Sequence, residues 1–198
     1  MFPKISPIIP VRRREIFDSR EWVYEIKHDG FRALAYLDKG RCRFVSRNGN
    51  EMKRFADLAA LIAKELKVKE AVLDGELVAP GNDCRPAFYD LMKRQRVAVY
   101  YAFDPLWLNG RDLRELPLVE RKKILRSLIP RKSKCVGYVS YAEREAGKLF
   151  ELMQKQDLEG LVVKRKDGQY KPKQPLWYKV LNPTDTQKVR RHEFFQRN

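Results

Sequence analysis

The chain has 198 residues, 43% of them hydrophobic, enough for one packed domain that needs neither disulfides nor metals. It contains nothing near the roughly 18 unbroken apolar residues of a membrane span, and the opening Met1-Phe2-Pro3-Lys4-Ile5-Ser6-Pro7 does not read as a secretory signal, so a cytoplasmic protein is expected. Forty-two Lys and Arg against 26 Asp and Glu give a formal charge of +16, which makes polyphosphates the natural partners, while Cys42, Cys84, Cys135, His28 and His192 are too few and too scattered for a disulfide framework, a zinc site or a His-based dyad.

In chain order, the Pro-containing leader through Pro10 and the run Arg12-Arg13-Arg14 read as an extended basic segment fit to lie on a phosphate backbone. Trp22 to Ile26, Ala33 to Leu37 and Arg41 to Val45, with a turn at Asp38-Lys39-Gly40, predict strands of one antiparallel meander. Asp57 is placed to cap a helix whose apolar face is Leu58, Leu61, Ile62 and Leu66. A buried strand over Ala71 to Ala79 carries Asp74 and Glu76 and ends at Pro80-Gly81. Val97 to Phe103 reads as a strand, and Leu118 to Leu128 as an amphipathic helix with its Lys and Arg outward. Val136 to Tyr141 reads as extended, Ala142 to Gln154 as helical, and Gly160 to Lys164 and Trp177 to Val180 as strands. The pattern predicts an α+β domain of antiparallel sheets flanked by helices. With no GxGxxG or GxxxxGK[ST] present, a nucleotide would be held by side chains on strands.

Chemistry concentrates at Glu25-Ile26-Lys27-His28-Asp29-Gly30-Phe31-Arg32, where a strand delivers a lysine into a turn holding a carboxylate, a glycine and an arginine. A lysine can act as a nucleophile once its amine is free; the bland alternative is a surface lysine at a β-turn. Glu76, centred in an apolar strand, is expensive to bury without a metal, a ribose or an arginine. Phe103 fits either a core position or a stacking platform. Glu159 and Lys164 could be the solvated ends of a strand, and Arg47-Asn48-Gly49 an ordinary turn.

Taken in order, Lys27-His28-Asp29-Gly30, Ser46-Arg47-Asn48-Gly49, Leu73-Asp74-Gly75-Glu76-Leu77, Tyr101-Ala102-Phe103-Asp104, Glu159-Gly160-Leu161-Val162-Val163-Lys164 and Trp177-Tyr178-Lys179 resemble the motif series of the covalent nucleotidyltransferases, which comprise ATP-dependent DNA ligases, RNA ligases and capping enzymes. The wording looks most like bacterial ATP-dependent DNA ligases of the end-joining type. The likeness implies the ATP-grasp-like adenylation fold over residues 20–182, with a leader over 1–19 and a polar tail over 183–198.

It also implies roles. Lys27 would attack the α-phosphate of ATP and become adenylated. Glu25 and the backbone of Ile26 would read adenine, and Phe103 would stack on it. Arg47 and Glu76 would hold the ribose, while Arg32 would meet the phosphates or a 5′-phosphate at a nick. Glu159, with Glu76, would bind Mg²⁺ or Mn²⁺, and Lys164 and Lys179 would neutralise the α-phosphate. Arg12, Arg13 and Arg14 would contact DNA. Nicked duplex DNA is the implied substrate of a monomeric, nucleoid-associated enzyme. The family's last motif carries a second lysine where this chain has Leu181, and Lys171 and Lys173 are the candidates to replace it. No OB-fold domain follows, so slow self-adenylation is expected, or help from a partner chain supplying an OB-fold or end-binding (Ku-type) function. The competing expectations are an RNA ligase, a capping-type nucleotidyltransferase and a non-catalytic nucleic-acid-binding module.

Overall fold

The structure, a computed structural model, describes residues 2–79, 91–93 and 96–186; the Pro80-Gly81 strand end, Cys84, His192 and the tail beyond 186 lie outside the described residues. The elements in order are β1 (Val11–Arg13), β2 (Trp22–Ile26), β3 (Phe31–Asp38), β4 (Arg41–Ser46), α1 (Ala56–Glu65), β5 (Glu70–Val78), β6 (Val99–Leu108), β7 (Arg111–Asp112), α2 (Leu118–Leu128), β8 (Val136–Tyr138), β9 (Tyr141–Ala142), α3 (Ala146–Lys155), β10 (Gly160–Arg165) and β11 (Trp177–Leu181). They form two sheets, one ordered β1-β11-β10-β2-β9 and the other β4-β3-β5-β6-β7, with β8 also on β6. Pairing is antiparallel except for β1 on β11 and β8 on β6. This is the expected α+β arrangement.

The expected meander is corrected. β3 and β4 are a hairpin, but β2 belongs to the other sheet, between β10 and β9. Residues 27–30 therefore carry the chain from one sheet to the other. The crossing needs Gly30, because a Cβ there would stand 2.0 Å from the carbonyl oxygen of Leu77 on β5.

Both faces of the second sheet are buried, which explains why β3 and β5 read as nearly continuous apolar runs. Ala33, Ala35, Leu37, Leu73 and Leu77 pack under α1 with Phe44, Leu58, Ile62 and Tyr100. Leu34 and Val72, on the opposite face, meet Leu106, Tyr170, Trp177 and the leader's Ile5 and Ile8. The first sheet buries Trp22, Tyr24, Val163 and Val180 beneath α3.

Several local expectations are also corrected. Asp57 does not cap α1, because a 3-10 turn over Lys53–Phe55 leads into the helix and Phe55 occupies the cap. Leu61 is half exposed, since the buried stripe runs through Leu58, Ala59, Ile62 and Leu66. β6 begins at Val99 and continues to Leu108, leaving Val97 exposed. α3 starts four residues after Ala142, which pairs with Tyr24 of β2 instead; Glu145, in the left-handed region at φ 59°, makes the bend.

The largest correction concerns α2. Arg121 and Lys122 point inward and are fully buried. They fall three and four residues after buried Leu118 and just before buried Leu125, on the helix face that packs against β6. Arg121 forks onto Asp104 of β6 at 2.7 and 2.8 Å and donates to the Gly168 carbonyl at 3.0 Å.

Removing one member of such a pair strands a charge in the interior. Asp104→Ala is expected to cost about 3–5 kcal/mol in urea unfolding. Lys148→Ala, which breaks the exposed Lys148–Glu145 pair, should leave the midpoint where it is. Equal effects would contradict this ranking.

Candidate active site

A cavity of about 470 Å³ opens beside the chain crossing and is lined from both sheets. The end of β2 contributes Glu25, Ile26, Lys27 and His28; β3 contributes Arg32, the turn after β4 Arg47, β5 Glu76, β6 Phe103, β10 Lys164 and β11 Lys179. Every residue expected to touch nucleotide thus lines one space, which the split of the strands between sheets makes possible. Glu159 does not line it but reaches Lys27. Arg12, Arg13 and Arg14 stand exposed outside it, the first two on edge strand β1, with the Arg13 guanidinium 4.3 Å from the Phe17 ring. Lys171 and Lys173 are exposed and do not line it, nor does Leu181.

Lys27 follows β2 directly. Its N–H donates to the Gly160 carbonyl at 2.8 Å, and its Nζ lies 2.5 Å from Glu159 Oε2. A quarter of the Lys27 side chain is exposed. Gly160 permits the close approach of β10 to β11 on its other side, because a Cβ there would sit 2.3 Å from the Val180 carbonyl. His28 stacks on Tyr101 at 4.7 Å between centroids, and burial pushes its imidazole down to about 4, so it is neutral at ordinary pH.

Glu25 lies in the floor of the cavity, buried, with Oε1 2.7 Å from Lys122 Nζ and Oε2 2.5 Å from Lys164 Nζ. Burial would raise its carboxyl, but the two ammonium groups hold it below the usual carboxylate range. Burial also brings Lys164 down to about 8, Glu25 opposing this and Lys122 adding to it. The Lys164 ammonium stands over both Phe103 and Trp177, at 4.4 and 4.0 Å from their centroids. Phe103 packs on the cluster around Ile8 and Trp177, as its core reading expected, and also lines the cavity.

Arg32 is more committed than the sequence suggested. It forks onto Asp74 at 2.9 and 2.6 Å and donates to the Ile8 carbonyl at 2.8 Å, so three of its five N–H donors are engaged within the protein. Asp74 also accepts from the Tyr170 hydroxyl at 2.6 Å. Glu76 is raised by burial to about 8, with Glu159 and Asp29 adding and Lys27 and Arg32 opposing. No group of three metal-ligating side chains occurs among the described residues. The Glu76 and Glu159 pair still suits Mg²⁺, which binds through one or two carboxylates, waters and substrate phosphates. Sequence reasoning missed Lys122 and Tyr170; the available signal for Lys122 was its place between Leu118 and Leu125 on the apolar stripe of α2.

A sequence model described as the ATP dependent DNA ligase domain matches residues 11–180. The chain is 31% identical over 158 residues to the multifunctional non-homologous end joining protein LigD of Mycolicibacterium smegmatis, covering 79% of this chain and 20% of that protein. It is 27% identical over 187 residues to the SPbeta prophage-derived DNA ligase-like protein LigB of Bacillus subtilis, covering 90% of this chain and 67% of that one. The solved mycobacterial DNA ligase D complexed with ATP and MES superposes with a TM-score of 0.78 at 27% identity, over 89% of this chain and 60% of that one. The chain thus spans about a fifth of the length of the Mycolicibacterium smegmatis relative and about a third of that of the LigD of Bacillus subtilis.

The lowered Lys164 has a measurable sign. Between about 8 and the ordinary 10.5 the unfolded chain holds a proton that the folded protein has released, so this group's contribution to stability rises with pH across that window. In urea unfolding the wild type should gain on Lys164→Met between about pH 7 and about pH 10; a constant difference would contradict the buried lysine.

Proposed function

The chain belongs to the ATP-dependent DNA ligase domain family, and from that premise we propose that its cavity binds ATP, adenylates Lys27 and passes AMP to a DNA strand break that it then seals. The carrying observation is Lys27 Nζ at 2.5 Å from Glu159 at the mouth of a cavity that also holds Glu25, Arg47, Glu76, Phe103, Lys164 and Lys179. In the first step the Lys27 nitrogen forms a bond to the α-phosphorus of ATP. The bond from that phosphorus to the bridging oxygen breaks, and pyrophosphate leaves with the electron pair. The proton shed by the amine has an acceptor in the Glu159 carboxylate. In the second step an oxygen of the 5′-phosphate at the nick attacks the same phosphorus and frees Lys27. In the third the 3′-hydroxyl attacks the DNA phosphate and expels AMP.

Residue roles follow the lining. Glu25 and the Ile26 backbone read the adenine edge, and Phe103 stacks on the ring. Arg47 and Glu76 hold the ribose. Lys164 and Lys179 offset charge on the α-phosphate as the transition state forms. A divalent ion held by Glu76 and Glu159 would neutralise phosphate charge and replace the proton that Glu76 tends to keep. Arg32, with two N–H donors uncommitted, meets a phosphate from the position Asp74 fixes. The net charge of +16 and the exposed Arg12, Arg13 and Arg14 support a duplex held by its phosphates. No described helix is long and apolar enough to cross a membrane, and we place the protein with DNA in the cytoplasm.

Nick sealing with ATP and Mg²⁺ on DNA and RNA duplexes tests this. The wild type should join nicked DNA, and Lys27→Ala should join nothing. Joining confined to RNA, or undiminished in Lys27→Ala, would overturn the reading. DNA affinity should fall linearly in log–log terms with salt, and replacing all three arginines by alanine should flatten that slope by up to about 0.9 for each phosphate no longer neutralised.

A further inference from the structure

Lys122 is a fully buried cation that none of the assigned roles uses. It enters from α2, outside the two sheets that build the cavity, and does not line the cavity itself. Its ammonium lies 2.7 Å from Glu25 Oε1, donates to the Val139 carbonyl at 2.6 Å and approaches the Phe103 carbonyl at 3.4 Å. Val139, Phe103 and Glu25 all face the cavity, so Lys122 touches cavity-lining groups from behind. The side chain is wedged between the Tyr138 and Tyr141 rings, 4.5 and 5.6 Å from their centroids. A buried ammonium is costly unless paired, and an apolar residue at the same position of α2 would pack without that cost. Lys122 therefore has a reason to be a lysine beyond filling space.

We infer that Lys122 is a positioning residue that holds Glu25 ionised and in one orientation behind the base, and so makes the site choose adenine over guanine. This rests on the reading of the cavity as a nucleotide site with Glu25 at the base. An ionised carboxylate only accepts hydrogen bonds, and each of its oxygens has two lone pairs. Lys122 takes one acceptor position on Oε1, and Lys164 is ion-paired with Oε2 at 2.5 Å, so acceptor capacity remains for the exocyclic amino group of adenine. Guanine presents an oxygen at that place, which faces the carboxylate acceptor to acceptor. A protonated Glu25 could donate to that oxygen, and a rotated one would no longer face it; either change would remove the discrimination. Burial alone pushes Glu25 toward protonation, and Lys122 is the larger of the two cationic influences opposing it.

Initial rates of protein labelling from ATP and from GTP, each labelled at the α-phosphate, test this in the wild type, Lys122→Met, Lys122→Arg, Glu25→Gln and the Lys122→Met/Glu25→Gln double variant. Lys122→Met keeps the Glu25–Lys164 pair and should fold. It should lose about tenfold in kcat/KM for ATP, mostly in KM, with the ATP-to-GTP preference falling by a similar factor, the scale of one charge-assisted hydrogen bond. Lys122→Arg, which keeps the charge, should retain the preference even if Lys122→Met is poorly folded. In the Glu25→Gln background the Lys122 change should add little, because both act through one carboxylate. A folded Lys122→Met with unchanged preference, loss of preference in Lys122→Arg, or full additivity in the double variant would overturn the inference while leaving the ligase reading intact. A wild type that labels from neither nucleotide would sink that reading, and this inference with it.

Discussion

Three buried carboxylates, Glu25, Asp74 and Asp104, are each paired with a cation from another element, and these pairs tie together strands that line the cavity and the helix behind them. Glu25 of β2 is held by Lys122 of α2 and Lys164 of β10; Asp74 of β5 by Arg32 of β3; Asp104 of β6 by Arg121 of α2. Such pairs contribute little net stability against an apolar alternative, yet breaking one leaves an uncompensated charge indoors. They therefore fix which element lies beside which more than they add to the total. Two of the three set cavity residues directly. Asp74 aims Arg32, and the Lys122 and Lys164 pair aims Glu25.

The chain crossing at residues 27–30 supplies the other constraint. β2 and β3 lie in different sheets, so Lys27 just past the end of one and Arg32 at the start of the other face a common space. That geometry leaves no room for side chains at Gly30, against the Leu77 carbonyl, or at Gly160, against the Val180 carbonyl. Glycine at these two motif positions serves close backbone approach beside Lys27 and Glu159.

Much of this was legible in the sequence, for identifiable reasons. Strands β2 to β5, β10 and β11 and helix α2 were marked by periodicity and by turn residues such as Asp38-Lys39-Gly40. The motif series located cavity-lining residues from Glu25 through Lys179, which a lone Lys-His-Asp-Gly could not have done. Sheet membership was not legible, because the apolar runs of β2 and β3 mark each as a buried strand but say nothing about which strand it pairs with. The inward lysine and arginine of α2 were also hidden, since a charged residue on an amphipathic helix is ordinarily solvated and only its buried partner shows otherwise. Tyr170 was missed because its bond to Asp74 spans 96 residues.

The central claim is that Lys27 is the amine that takes the adenylyl group. Intact-protein mass spectrometry after incubation with ATP and Mg²⁺, followed by peptide mapping, tests it most directly. A gain of one AMP, mapped to Lys27 and reversed by pyrophosphate, is the predicted result. An adduct on another lysine, or a protein whose mass never changes, would contradict the account.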